Sequence, residues 1–167
     1  MPSGNNEWWR DAVIYQVYPR SFADSDGDGI GDIPGITHRV DYLHNLGVDA
    51  IWVSPFYESP LKDGGYDVTD YRMVDTRLGT VEDIKKLITA AHNVNMKVFM
   101  DIVPNHTSDQ HEWFQEVLRS EPGSPAWERY VIKEGKGENH ELPPTNWESV
   151  FHGAAWSPLV LANGEKT

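Results

Sequence analysis

Cysteine is absent from the 167 residues of this sequence, so it can form neither a disulfide framework nor a thiolate metal site. Basic residues are few, because 14 Lys and Arg stand against 26 Asp and Glu and give a formal net charge of −12. A nucleic-acid-binding surface needs the opposite balance. No apolar run is long enough to span a bilayer, and residues 1–10 contain no apolar signal core. We therefore expect a cytoplasmic protein without a nucleic-acid or membrane partner.

Three short apolar segments, residues 12–18, 49–53 and 97–103, are predicted as buried strands. Helical segments separate them, and that order indicates a parallel sheet covered by helices. A doubly wound sheet and a closed barrel both satisfy this order. No Gly-x-Gly-x-x-Gly motif follows the first strand and no phosphate-binding loop is present, so a nucleotide-binding wound sheet lacks its usual signature.

The segments between the strands are predicted as two helices and one long loop. Apolar residues at helical spacing predict a helix over residues 36–46, with Gly47 as its C-terminal stop. The same spacing predicts a second helix over residues 81–95, capped by Thr80. Residues 54–77 are polar and are predicted as a loop.

The first cluster of chemically interesting residues is an acidic loop after the first strand, with Asp24, Asp26, Asp28 and Asp32. Such a spacing of oxygen ligands suits a hard cation, and calcium is the natural candidate. It is not an EF-hand, because Gly35 occupies the position of the bidentate Glu and a strand precedes the loop. A solvated acidic turn is the alternative. Repulsion among four carboxylates within nine residues favours metal binding.

The second cluster, residues 63–71, follows the second strand. Gly64 and Gly65 allow a tight turn that presents Asp63 and Tyr66 together. A carboxylate accepts hydrogen bonds from hydroxyl groups, and an aromatic ring packs on the apolar face of a sugar. On chemistry alone, an ordinary polar loop explains this pattern at least as well.

The third cluster closes the third strand, where Asp101 ends an apolar segment and His106 follows five residues later. Burying a carboxylate without a partner is costly. We therefore expect an active-site floor in which Asp101 pairs with a cation and His106 donates to a ligand. The alternative for His106 is a structural hydrogen bond.

These clusters, in this order, resemble the alpha-amylase superfamily of glycoside hydrolases, whose first signature region is similar to residues 101–106. Within it, residues 8–22, the loop 24–32 and most of residues 146–156 resemble the oligo-1,6-glucosidase and alpha-glucosidase branch. The resemblance implies an α/β fold that is the N-terminal part of a (β/α)8 TIM barrel, strands 1–3, with the start of an inserted domain B. It divides the chain into barrel residues 1–104 and a partial domain B, residues 105–167, with a divergent tail.

The resemblance also implies roles for individual residues. In the subsite for the non-reducing glucose of a small oligosaccharide, Asp63 would accept hydroxyl groups, Tyr66 would stack and His106 would donate to the primary hydroxyl. Asp101 belongs to the same subsite. For Ca²⁺, the resemblance implies the side chains of Asp24, Asp26, Asp28 and Asp32 with the backbone oxygen of Ile30.

The implied activity is retaining hydrolysis of alpha-glucosidic bonds in short oligosaccharides. Family members place their nucleophile, acid/base and stabilising carboxylates after strands four, five and seven, none of which lies in these residues. A complete barrel also takes roughly 250 residues. We therefore expect a fragment, a truncated gene or a frameshift product that is inactive alone. The alternatives are a trehalose synthase or another alpha-glucosyl isomerase or transglycosylase, and a non-catalytic sugar- or calcium-binding remnant. No feature of the sequence specifies an oligomeric state.

Overall fold

The computed structural model describes residues 7–164, which fall into two compact units, the first ending at Ser108 and the second beginning at Asp109. In chain order the first unit contains a 3-10 turn at Trp8–Arg10, β1 (Ile14–Val17), α1 (Pro19–Phe22), α2 (Ile33–His38), α3 (Val40–Leu46), β2 (Ala50–Val53), β3 (Tyr57–Glu58), β4 (Asp70–Val74), α4 (Val81–Asn93) and β5 (Lys97–Met100). None of the helices within the described residues is long and apolar enough to cross a bilayer.

Strands β1, β2 and β5 form a parallel sheet in the order β1-β2-β5. The register places Ile14 beside Ala50, and Ala50 beside Lys97. Each of these strands lies within a segment that the sequence predicts as a strand. β1 is shorter than predicted at both ends, β2 at its start and β5 at its end. The predicted α/β class and the parallel sheet with helical connections are confirmed.

One face of this sheet is covered by helices. Val17, Ile51 and Val53 are buried there, in one core with Leu43 of α3 and Leu87 of α4. Each such side chain contributes about 1.5–3 kcal/mol when it is removed from water. This core fixes the sheet and therefore the positions at which the chain leaves each strand.

The other face of the sheet is open. Ile14, Trp52 and Phe99 are 38–45% exposed on it. Trp8 stacks on Phe99 with 6.0 Å between ring centroids. Because side chains alternate along a strand, Asp101 continues the same face as Phe99.

The helix predicted over residues 36–46 is wrong in its start and in its continuity. Asp32 caps α2, which begins three residues earlier than predicted, and Pro34 suits the first helical turn. Arg39 then separates α2 from α3, because its N–H donates to the Ile36 carbonyl at 2.9 Å and tightens the turn. The apolar spacing runs across this break, so periodicity alone does not show it.

The predicted boundary residues of two helices are confirmed. Gly47 adopts a left-handed conformation, with φ of 91°, and its N–H donates to the carbonyls of Leu43 and His44 at the end of α3. Thr80 caps α4 in a reciprocal pair with Asp83. Helix α4 ends at Asn93, two residues before the predicted end.

The predicted loop over residues 54–77 contains a small antiparallel sheet, β3 with β4, which the sequence analysis missed. A bulge between Tyr57 and Glu58 shifts its register, so the strand alternation is too short to be recognised. The N–H of Asp75 extends the pairing by donating to the Phe56 carbonyl at 2.9 Å.

The second unit has little regular structure. It contains α5 (Glu112–Arg119), a 3-10 turn at Trp127–Arg129, and isolated β-bridges between Lys136 and Leu142 and between Glu148 and Ala154. Trp147 and Trp156 stack with 5.7 Å between their centroids. The assignment of this region to an inserted domain, with a boundary after residue 104, stays a prediction.

Candidate functional site

Asp101 directly follows β5, at the edge of the sheet where the carboxyl ends of its parallel strands meet. Its N–H donates to the Val53 carbonyl at 3.1 Å, so the backbone of Asp101 is fixed beside the end of β2. Ligands of α/β enzymes bind at this edge of the sheet. The sequence-based choice of Asp101 therefore falls at the expected place in the fold.

Two tyrosines from the small antiparallel sheet hold the segment that follows Asp101. The Tyr57 hydroxyl donates to the Asp101 carbonyl at 2.7 Å. The Tyr71 hydroxyl lies 2.8 Å from the Val103 carbonyl and 2.6 Å from the His106 carbonyl. Because this segment has no regular secondary structure, these phenols supply contacts that a helix or strand would otherwise provide.

The carboxylate of Asp101 accepts a hydrogen bond of 3.0 Å from the Tyr66 hydroxyl. Burial raises the pKa of Tyr66, and the hydrogen bond to Asp101 and the charges of Asp101 and Asp63 raise it further. The phenol therefore stays a donor at neutral pH. A cation was expected beside Asp101; within the described residues its carboxylate is paired with this phenol.

The His106 ring is held by two contacts. Its Nε2 lies 3.1 Å from the Tyr66 carbonyl, which accepts only, so Nε2 carries the hydrogen. Its Nδ1 lies 3.4 Å from the side-chain nitrogen Nδ2 of Asn105. The ring thus sits against the turn that carries Tyr66, and donation from His106 to a sugar hydroxyl stays a prediction.

A residue to which the sequence analysis gave no role, Asp67, organises the loop that carries Asp63 and Tyr66. Its carboxylate accepts from the Ser59 hydroxyl at 2.7 Å, the Lys62 N–H at 2.8 Å and the Asp63 N–H at 3.2 Å. Burial alone would raise the pKa of Asp67, but these hydrogen bonds outweigh it and lower the pKa. Asp67 stays ionised within the loop at neutral pH.

The turn from Asp63 to Tyr66 depends on its two glycines. Gly64 and Gly65 have φ of 61° and 105°, and a Cβ on Gly65 would lie 3.2 Å from the Pro55 carbonyl. The Tyr66 N–H donates to the Asp63 carbonyl at 2.9 Å and closes the turn. The Asp63 carboxylate is exposed, so it is accessible to a ligand.

The structure therefore gathers the four residues that the sequence analysis selected for sugar binding. Tyr66 is hydrogen-bonded to Asp101 and to His106, while Asp63 lies three residues from Tyr66 in the same turn. Tyr57, Tyr71 and Asp67 support the group and were missed. In the sequence Asp67 stands out only by its place in a glycine-containing loop, and the two tyrosines carry no signal.

The acidic loop brings three of its predicted ligands together. Carboxylate oxygens of Asp24, Asp26 and Asp28 lie within 4.8 Å of one another. The Asp24 carboxylate also accepts from the N–H groups of Gly27 at 2.7 Å and Gly29 at 2.8 Å. The hydrogen bond from Gly27, followed by that from Gly29, lowers the pKa of Asp24. An oxygen-only set of this kind matches the preference of a hard cation.

Asp32 is placed differently from the other three acids. It is 7% exposed, and one oxygen accepts from the N–H and hydroxyl of Ser25 while the other accepts from the Gly35 N–H at 2.6 Å. Asp32 thus closes the acidic loop and caps α2 at once. The N–H of Ile30 donates to the Asp28 carboxylate at 2.7 Å. The roles of Asp32 and of the Ile30 carbonyl as metal ligands stay predictions.

The chain matches the sequence model of the alpha-amylase catalytic domain over residues 16–158. It is 52% identical over 154 residues to maltase 1 of Drosophila virilis, covering 91% of this chain and 24% of that protein. It is 51% identical over 150 residues to the oligo-1,6-glucosidase of Heyndrickxia coagulans, a match that covers 90% of this chain and 26% of that protein. The chain thus spans about a quarter of the length of these relatives.

Solved structures show the same similarity. The trehalose-6-phosphate hydrolase of Bacillus licheniformis superposes with a TM-score of 0.85 at 43% identity, covering 95% of this chain and 28% of that one. A trehalulose synthase mutant in complex with sucrose superposes with a TM-score of 0.84 at 47% identity, covering 90% and 26%. An alpha-glucosyl transfer enzyme superposes with a TM-score of 0.85 at 49% identity, covering 91% and 28%. The partial parallel sheet is therefore the first part of a TIM-barrel fold.

Proposed function

Because the chain belongs to the alpha-amylase catalytic domain family, we propose that it forms the glucose-holding part of an alpha-glucosidase of the oligo-1,6-glucosidase type. The substrate is a short oligosaccharide with a terminal alpha-linked glucose. The observation that carries the proposal is the hydrogen-bonded group of Tyr66, Asp101 and His106 at the carboxyl edge of the sheet. The similarity to maltase and to oligo-1,6-glucosidase supports it.

Each residue of this group has a role that its chemistry allows. The Tyr66 ring offers a flat apolar surface for the sugar, and its hydroxyl is turned to Asp101. The exposed Asp63 carboxylate accepts hydrogen bonds from sugar hydroxyls. His106 donates from Nε2 to the primary hydroxyl of glucose when that hydroxyl replaces the Tyr66 carbonyl as its acceptor.

We assign binding and orientation to these residues, not bond cleavage. Retaining hydrolysis needs two carboxyl groups about 5 Å apart across the scissile bond, one of which attacks the sugar. The Asp101 carboxylate is instead engaged by Tyr66, and Asp63 lies in the turn beside it. The reacting carboxylates then belong to the part of the relatives that this chain does not span.

The acidic loop would hold a structural Ca²⁺. The converging carboxylates of Asp24, Asp26 and Asp28 fit such an ion, since they offer only oxygen ligands and carry charges that repel one another. Bound calcium would neutralise this repulsion and brace the connection between α1 and α2. It would take no part in the reaction.

A chimera tests the proposed function. Residues 16–158 replace the matching segment of the Heyndrickxia coagulans oligo-1,6-glucosidase, and glucose release from isomaltose is measured. The chimera should hydrolyse isomaltose, and His106→Ala should lower kcat/KM by about 100-fold, the loss of a hydrogen bond from a positioned donor. His92→Ala on the exposed side of α4 is the control and should leave kcat/KM unchanged. A folded chimera without activity, or equal effects of the two substitutions, would contradict the proposal.

Transfer of the glucosyl group, by an isomerase or transglycosylase, is the second candidate function. It is favoured by the trehalulose synthase and glucosyl transfer structures, which match this chain at 47% and 49% identity. Sucrose separates the two candidates, because a hydrolase yields glucose and fructose whereas an isomerase yields a rearranged disaccharide. Glucose binding by the chain without turnover of any substrate in the complete protein would instead support a non-catalytic remnant.

A further inference from the structure

An ion pair between the buried Asp75 and the partly exposed Arg77 lies at the end of β4. Asp75 is 2% exposed, and its carboxylate accepts two hydrogen bonds from the Arg77 guanidinium, the one from Nε at 2.7 Å. Burial alone would raise the pKa of Asp75, but the bonds from Arg77 outweigh it and lower the pKa. The pair is therefore charged and fixes the orientation of the guanidinium.

The same guanidinium reaches the loop of the candidate site. Arg77 Nη2 donates to the Ser59 carbonyl at 2.7 Å. The Ser59 hydroxyl donates in turn to Asp67, which accepts from the N–H groups of Lys62 and Asp63. Hydrogen bonds on the backbone and on the side chain of Ser59 thus link the ion pair to the backbone of Asp63.

We propose that Arg77 is a positioning residue for the sugar-binding turn, acting through Ser59 and Asp67 on the backbone of Lys62 and Asp63. The proposal rests on the proposed function only for the role of Asp63. Its physical basis is that the loop between β3 and β4 has no regular structure to fix it. The left-handed glycines of the turn allow many other conformations, so contacts from outside the turn select one. Asp101 and His106 hold Tyr66 at one end of the turn, and the contacts from Asp67 hold Asp63 at the other.

The ends of the loop are closed without Arg77. The Thr69 N–H donates to the Glu58 carbonyl at 2.8 Å, which keeps β3 and β4 together. Loss of Arg77 should therefore loosen the turn and leave the ladder in place. Lysine cannot replace it, because one ammonium group does not offer two parallel donors to Asp75 and a further one to Ser59 in a fixed plane.

Amide hydrogen exchange of the ¹⁵N-labelled protein tests this role. Arg77→Met should speed exchange at the amides of Lys62 and Asp63 by about tenfold, since their acceptor is no longer held. The amides of α4 should change less than twofold. Arg77→Lys should behave like Arg77→Met, whereas Arg72→Met, an exposed arginine of β4, should change neither set. Equal acceleration in α4 would show a general loss of stability and overturn the positioning role.

A second variant covers the case in which Arg77→Met fails to fold, because that change leaves the buried Asp75 carboxylate without its paired cation. Ser59→Ala leaves the ion pair intact and removes the hydroxyl that donates to Asp67 and accepts from the Leu61 N–H at 2.9 Å. It should accelerate exchange at Lys62 and Asp63 to a similar extent. Unchanged exchange at both amides in Ser59→Ala would overturn the proposal.

A glucose titration of the same labelled protein separates this inference from the proposed function. Accelerated exchange in Ser59→Ala, together with the absence of glucose-induced shifts at Asp63 and Tyr66 in the unsubstituted protein, would sink the sugar-binding role and leave the positioning role standing. Glucose-induced shifts together with unchanged exchange in Ser59→Ala would do the reverse.

Discussion

Two loops of the first unit are each folded around one aspartate. Asp24 organises residues 24–32 by accepting from the N–H groups of Asp26, Gly27 and Gly29. Asp67 organises residues 59–67 by accepting from Ser59, Lys62 and Asp63. In both, a carboxylate replaces the hydrogen-bond partners that a helix or strand would give to the backbone.

The surroundings of the two aspartates differ. Asp67 is 9% exposed and is connected through Ser59 to Arg77 and its buried partner Asp75. Asp24 is exposed, and the loop around it brings two more carboxylates close. The loop around Asp67 is thus satisfied from within the protein, whereas the loop around Asp24 collects negative charge that a bound cation would neutralise. A single aspartate organises both loops, and they differ in the groups that surround it.

The largest effect is expected from Asp67→Ala. The substitution leaves the Ser59 hydroxyl and the N–H groups of Lys62 and Asp63 without their acceptor, at a cost of about 3 kcal/mol in the free energy of unfolding. Urea unfolding measures it. The control is Asp63→Ala, which removes an exposed carboxylate and should cost under about 0.5 kcal/mol. Equal costs would mean that Asp67 does not organise the loop.

Calcium should stabilise the protein through the other loop. At a free concentration of about 100 times its Kd, a ligand that binds only the folded state adds about 2.7 kcal/mol. Differential scanning calorimetry with Ca²⁺ and with chelator should show this gain, and Asp26→Ala should remove it. Asp67→Ala should retain the full response, because its loop is separate. Identical melting curves with ion and with chelator would refute calcium binding.

Within the acidic loop, Asp32→Ala should be more costly than Asp28→Ala when calcium is removed by a chelator. Asp32 caps α2 and binds Ser25, so its loss should cost about 2 kcal/mol. Loss of Asp28 relieves repulsion from Asp24 and Asp26 and should cost little. Thermal unfolding in chelator measures both. The reverse order would place Asp32 among the ion ligands only.

The smallest expected effect is a loss of stability at low pH. The pKa of Asp67 is lower in the folded state than in the unfolded chain, so its contribution to stability is complete above the unfolded value and is lost as the pH falls through the folded value. We expect the Asp67 carboxyl carbon to titrate, by NMR, at a lower pH than an aspartate of an unfolded chain, and thermal stability to fall as the pH drops through that titration. A midpoint for Asp67 above the ordinary value of an aspartate would contradict the assignment.

The sequence predicted the parts of the fold that local pattern determines. Thr80 and Gly47 mark helix ends, because capping and left-handed turns involve residues a few positions apart. The break at Arg39 was missed, because Ile36 and Val40 keep their apolar spacing on both sides of it. Apolar periodicity predicts which face of a helical segment is buried, but it does not show whether the segment is one continuous helix.

For the candidate site, the sequence pointed to Asp63, Tyr66, Asp101 and His106, but not to their supports. The contacts that hold Asp67 join residues far apart in the sequence. Ser59 lies eight residues before Asp67, and Arg77 bonds Ser59 from 18 positions away. Asp67 resembles any aspartate of a polar loop until the chain is folded. Its role in holding the loop follows from its tertiary contacts and not from its residue type.

The hydrogen bonds of Tyr57 and Tyr71 affect how the side chains of this segment can change during evolution. They bind the carbonyl oxygens of Asp101, Val103 and His106, which every amino acid possesses. A codon change at position 101 or 106 replaces the side chain and keeps the carbonyl oxygen that accepts the hydrogen bond. The path of the backbone therefore does not depend on which side chains occupy these positions, so substitutions there could change what the proposed site binds without rebuilding the segment.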